Sequence, residues 1–142
     1  MECYQIYNKD SLKIDELSDY DYIFCPKSEC IGNVVEIDEL FVPIIIELNK
    51  KGYSTKFCCS GHYYGNCPNA YIMFESDIEL PNIPKGYTQE IDDNNCVTIR
   101  RMFVKETDYQ EEYIDTYKYY DNIINNAKQT LKWAKDLPPL DI

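Results

Sequence analysis

KGYSTKFCCSGHYYGNCPNAYIMF, residues 51–74, is the stretch whose reading decides the fold. Tyr53, Thr55, Phe57 and Cys59 alternate with Ser54, Lys56 and Cys58, and a period of two among β-formers is the pattern of a strand. Residues 70–74, AYIMF, read as its partner. Gly61 and Gly65 break the pattern between them, leaving a connection of about ten residues where hairpin loops of two to five are usual. A long irregular loop on a rigid scaffold is a common place for function.

Upstream, in IDELFVPIIIELNKKGY, Leu40, Phe41, Ile44, Ile45 and Leu48 recur at helical spacing. Asp38 is placed to cap that helix, and Lys50, Lys51 and Gly52 supply its stop. Pro43 removes one hydrogen bond, so a kink or a late start is expected. Residues 20–25, YDYIFC, form a short strand ending ahead of Pro26. Downstream, residues 96–104 are a further β-branched strand, paired with residues 87–91 across the turn Asp92, Asp93, Asn94, Asn95. The segment LPNIPKGY ahead of them is a turn region.

Thr107 and Gln110 make a capping box for a long C-terminal helix. Its apolar stripe is read as Tyr109, Tyr113, Tyr117, Tyr120, Ile124, Ala127, Leu131 and Ala134, and Leu137, Pro138 and Pro139 end it. The stripe is first of all a core-facing one; tyrosines so placed can also stack a ligand. At about 29 residues the helix would span ~43 Å, longer than a small sheet needs, so an end could serve a homodimer or a partner. The fold class is therefore α+β: a small mixed or antiparallel sheet packed by one central helix and a long C-terminal helix. The 142 residues are expected to form a single domain spanning 1–142.

Composition narrows the function classes. Twenty-five acidic residues against fourteen basic ones give a formal charge of -11. Such a surface repels a phosphate backbone, so direct nucleic-acid binding is disfavoured. Arg100, Arg101 and Lys105 are the nearest approach to a basic cluster. The acidity suits a basic partner, such as the nucleic-acid groove of another protein, or simply solubility. The first residues lack the basic and apolar regions of a signal peptide, and no run approaches the ~18 apolar residues of a membrane span, which together favour a cytoplasmic setting without a membrane.

Seven cysteines is an odd count, and a disulfide framework is a poor reading in the cytosol. Cys25 and Cys30 form one doublet; Cys59, His62 and Cys67 form a second, with Cys58 as an alternative to Cys59. A tetrahedral zinc ion takes four such N and S ligands, so structural zinc is the candidate cofactor. Small buried thiols explain the same residues without a metal. A third reading makes Cys59 a reactive thiol, with the turn of Ser60 and Gly61 offering backbone N–H groups and His62 acting on its proton. A phosphatase-type loop is excluded, because Gly65 stands where that chemistry needs an arginine. No Walker loop, GxGxxG, HExxH or GxSxG is present.

The block KGYSTKFCCSGH, preceded by a helix and followed by AYIMF, resembles one found in small proteins of low-GC Gram-positive bacteria and their phages, over roughly residues 37–74. No activity comes with that likeness. More distantly, Cys59, Ser60 and Gly61 resemble the end of the Thr-Ser-Ser-Cys-Ser-Gly-Arg signature of the wybutosine-synthesis tRNA methyltransferases. Lys56, Phe57 and Cys58 replace its first three residues and His62 replaces its arginine. That resemblance implies an α/β scaffold with a functional loop after the strand.

The leading expectation is a small acidic protein that acts by binding a protein partner or a small molecule. It would use Cys59, Ser60, Gly61, His62, Tyr63 and Tyr64, and inhibition of a host nucleic-acid-binding or defence protein by a phage product is one form of it. The alternatives are a nucleotide- or RNA-modifying enzyme using Cys59, Ser60, Gly61 and His62, and a structural zinc module on Cys25, Cys30, Cys59, His62 and Cys67.

Overall fold

The computed structural model describes residues 37–61, 69–103 and 116–141, together with two short strands nearer the start. Contacts divide the chain into two compact units, Met1–Glu36 and Ile37–Ile142. In the first, β1 (Ile23–Phe24) pairs antiparallel with β2 (Asn33–Val34).

The second unit begins with a single 3-10 turn, Glu39–Phe41, that runs into α1 (Val42–Lys50). Pro43 falls in the first turn of α1, where its missing N–H has no intrahelical partner to lose. This is the late start that the proline demands. Phe41, Ile44, Ile45 and Leu48 are buried, one face of the helix. Its end is a Schellman motif: the Gly52 N–H donates to Asn49 O at 3.1 Å and the Tyr53 N–H to Leu48 O at 2.9 Å. Gly52 takes the φ of +93° that this motif needs. Asn49 then ties helix to strand, donating to Thr55 Oγ1 at 3.0 Å and accepting from the Thr55 N–H at 3.1 Å.

The four strands β3 (Thr55–Cys59), β4 (Asn69–Ser76), β5 (Thr88–Ile91) and β6 (Cys96–Met102) form one sheet in the order β3-β4-β6-β5. Every pairing is antiparallel, so of the two sheet types left open by the sequence it is the antiparallel one. The β5–β6 hairpin closes where the Asp-Asp-Asn-Asn turn requires. Asp92 Oδ1 accepts from the N–H groups of Asn94 and Cys96, both at 2.9 Å, and Asn95 adopts a positive φ.

Alternation along the strands sorts their side chains onto two faces. Ala70, Ile72 and Phe74 of β4 and Val97 and Ile99 of β6 point inward, with Ile72 directly across from Ile99. They share one core cluster with α1 and with α2 (Thr116–Asp136), so both helices cover the same face of the sheet.

The buried face of α2 differs from the stripe read in the sequence. Ala127 and Ala134 are buried and Leu131 half-buried, as expected, but Tyr120 and Ile124 are each 40% exposed. Ile123, Asn126, Thr130 and Trp133 take the core-facing positions instead. Two of these are polar, and they are accommodated by a closed set of hydrogen bonds. Asn126 Nδ2 donates to Tyr87 Oη at 2.8 Å. Thr130 Oγ1 spends its proton on Asn126 O at 2.7 Å, so Tyr87 is the donor in its 2.9 Å bond to Thr130. Arg101, on the inner face of β6, donates to Asn126 Oδ1 at 3.1 Å. A stripe chosen by hydrophobicity alone passes over such residues. The side chains of Tyr109, Tyr113 and Tyr117, and the capping box at Thr107 and Gln110, lie outside the described residues.

The tail after α2 folds back on the α1–β3 turn. Lys51 Nζ donates to the carbonyls of Ala134, Lys135 and Leu137, the unpaired acceptors at the C-terminus of α2. Tyr53 Oη donates to Pro138 O at 2.7 Å, and the Leu140 N–H to Lys51 O at 2.8 Å. Lys51 thus ends one helix in sequence and caps another in space.

Candidate functional site at the end of strand β3

Cys58 and Cys59 close β3 on opposite faces. Cys58 lies across from Ile72 and packs against the core; Cys59 lies across from Tyr71. Beyond them the chain turns sharply at Gly61, whose φ is +94°. A Cβ there would stand 2.7 Å from the Phe103 ring and 3.4 Å from Ile123 Cγ1, so only glycine lets the chain pass under those side chains. The Gly61 N–H donates to Cys59 Sγ at 3.4 Å.

Ser60 is buried, 4% exposed, and its partner comes from far away in sequence. Asp38 Oδ2 accepts the Ser60 N–H at 2.7 Å and its hydroxyl at 3.1 Å. Asp38 occupies the N-cap position of the 3-10 turn, as its place before the helix suggested, but makes no side-chain cap. Its carbonyl accepts the Phe41 N–H at 2.8 Å, while its carboxylate is turned to Ser60. Asp38 is therefore the residue of this site that sequence reading misassigned in role. No local pattern marks a contact spanning 22 residues.

The electrostatics run against an activated thiol. Burial, with the Asp38 carboxylate adding to it, pushes the Cys58 thiol up to about 11, although a hydrogen bond from the Asp38 backbone works the other way. Cys59 is 6% exposed. Cys58 lacks the lowered pKa of a nucleophilic thiol, and Cys59 lacks the access.

Of the sequence-nominated residues, Cys59, Ser60 and Gly61 are thus brought together in a packed strand end. His62, Tyr63, Tyr64 and Cys67, and likewise Cys25 and Cys30, lie outside the described residues. Among the described residues no three His, Cys, Asp or Glu side chains converge as a metal site would require.

The sheet face turned away from the helices carries what the sequence did not nominate. Phe57 and Met102 are more than half exposed, and Tyr71, Met73, Thr98 and Arg100 are half-buried around them. The Arg100 guanidinium lies 5.0 Å from the centre of the Tyr71 ring, and its Nη1 donates to Asn69 Oδ1 at 2.7 Å. Its Nε stands 3.8 Å from Glu90 Oε1, a long, exposed pair that contributes little. Exposed acids flank this face and the end of the sheet: Glu75, Glu90, and a group of Asp77, Asp92 and Asp93. Asn95 links two of these, donating through Nδ2 to Asp77 Oδ1 at 2.6 Å, accepting the Asp77 N–H at 3.1 Å and donating its own N–H to Asp92 O at 3.0 Å. No lysine or arginine occurs between Lys56 and Lys85, or between Lys85 and Arg100.

Among the described residues no helix is long and apolar enough to cross a membrane. No protein-family model, no curated protein and no solved structure matches this chain.

Proposed function

We propose that this protein acts by binding another protein, through the sheet face that the helices leave uncovered. The observation that carries this reading is the arrangement of that face: an apolar centre of Phe57, Tyr71, Met73 and Met102, with Glu90 on its β5 edge and Glu75, Asp77, Asp92 and Asp93 towards one end of the sheet. Stable interfaces combine an aromatic- and methionine-rich centre with a polar rim. The rim here is acidic, which selects a partner with a basic surface and accelerates its approach. A natural form of such binding is inhibition, with the acidic protein occupying the nucleic-acid groove of a host nucleic-acid-binding or defence protein. The buried Ser60 and Cys59 and the raised Cys58 thiol support binding over thiol catalysis. Self-association is a second use of the fold, favoured by Tyr120 and Ile124, one turn apart on α2 and both exposed.

The test compares the wild-type chain with a Phe57→Asp, Met102→Asp variant as baits in a lysate of the source cells. Both positions are exposed, so the variant should fold with a stability within about 0.5 kcal/mol of wild type. A partner captured by the wild type, lost with the variant and weakened by salt supports the reading. If the wild type captures nothing at low salt that the variant fails to capture, the reading is wrong.

A further inference from the structure

On the helix side of the unit, a cavity of about 410 Å³ opens between α2 and the turn ahead of β5. Ile83 and Pro84 of the turn and Trp133 of α2 form its apolar walls. The indole is fixed in place, because Nε1 donates to Asn82 Oδ1 at 2.8 Å. Lys85 and Lys132 line the same cavity from the two sides, against a single carboxylate, Asp136. Neither ammonium is drawn into an ion pair or hydrogen bond among the described residues.

In a chain of formal charge -11, a place where cations outnumber carboxylates is where an anion is least repelled. Trp133, Ile83 and Pro84 supply its apolar lining, Lys85 and Lys132 are exposed, and the volume lies in the range of small-ligand pockets. It suits one or two aromatic rings and is confining for anything the size of a dinucleotide. We propose that this cavity binds a small aromatic carboxylate, its ring against the apolar lining of Trp133, Ile83 and Pro84, and its carboxylate between Lys85 and Lys132. The site is distinct from the sheet face and does not depend on the partner-binding reading.

Trp133 is the only tryptophan, so its indole N–H gives a single resonance that reports on this cavity without further assignment. The full chain is titrated with 1-naphthoate and, separately, with the uncharged 1-naphthalenemethanol. The expected result is a saturable shift of the indole resonance with naphthoate and a markedly weaker response to the alcohol. Lys85→Glu with Lys132→Glu should weaken naphthoate by about tenfold or more and leave the alcohol unchanged, since two exposed charge pairs of modest strength are lost. Lys85→Gln with Lys132→Gln should fall between; both pairs are checked for an unshifted indole resonance before ligand is added. An indole resonance that does not move with naphthoate overturns the proposal. So does equal affinity for acid and alcohol, or charge reversal that leaves naphthoate binding unchanged.

Discussion

Asp38 Oδ2 and Ser60 are joined twice, through the serine N–H at 2.7 Å and its hydroxyl at 3.1 Å, and this pair fixes the end of β3 against the start of α1. Asp38→Ala leaves the buried Ser60 N–H with no acceptor and its hydroxyl with only the long 3.5 Å contact to Gly61 O. The expected loss is about 1–3 kcal/mol for an orphaned buried donor, read as a lower urea midpoint with an unchanged m-value. Asp38→Asn keeps an acceptor oxygen and should recover part of that loss. Equal midpoints for Asp38→Ala and wild type would show that the pair contributes nothing.

The Cys58 thiol, raised to about 11 from its ordinary 9.0, makes stability depend on pH in a defined direction. The folded chain holds this proton more tightly than the unfolded chain does. Its contribution is therefore complete below about pH 9 and is lost as the pH rises towards 11. Tyr53 and Tyr87, both raised by burial above their ordinary 10.0, act with the same sign at higher pH. Urea midpoints should fall across this window, and Cys58→Ala should delay the onset. At neutral pH, iodoacetamide should alkylate Cys58 roughly a hundredfold more slowly than an ordinary thiol, because the thiolate is that much rarer.

Lys51→Met keeps the apolar stem and removes the ammonium that caps the C-terminus of α2. The carbonyls of Ala134, Lys135 and Leu137 then face solvent or nothing. Hydrogen bonds to a charged donor at a helix C-terminus are worth about 1–2 kcal/mol here, and the loss should be local first. Amide exchange at Leu137 and Leu140 should accelerate before exchange in β4 or β6 changes. Uniform acceleration across the sheet would mean that Lys51 supports the whole unit and not this one seam.

Tyr87→Phe breaks the closed set of bonds around Asn126. Asn126 Nδ2 loses its acceptor and Thr130 Oγ1 its incoming proton, although Thr130 still donates to Asn126 O. The expected cost is about 1–3 kcal/mol. Thr130→Val in the Tyr87→Phe background should cost less than it does in the wild type, since the bond between them is already gone. Strict additivity in this double-mutant cycle would sink the network.

Much of the scaffold was legible in the sequence because local physics decides it. Period two in residues 53–59 and 70–74, the Asp92 turn, Gly52 and the displacement of α1 by Pro43 all answer to backbone constraints within a few residues. The phase of α2 was not legible. Tyr120 and Ile124 look like core residues and Asn126 and Thr130 do not, until Tyr87 and Arg101 arrive from the sheet to satisfy the polar pair. The candidate site divides in the same way. Gly61 announced a turn after Cys59, but nothing local said that the Asp38 carboxylate would turn from the helix start to Ser60, or that Phe57 and Met102 would share an uncovered face.

The sequence alone determined the antiparallel-capable strands, the two helices and the acidic balance, since propensity, turn chemistry and charge are properties of short segments. Only the tertiary structure decided which polar residues could be buried and which apolar ones stay outside. Those outcomes depend on partners supplied by distant segments, and the free energy of a buried Asn126 or Ser60 is set by whether that partner is there.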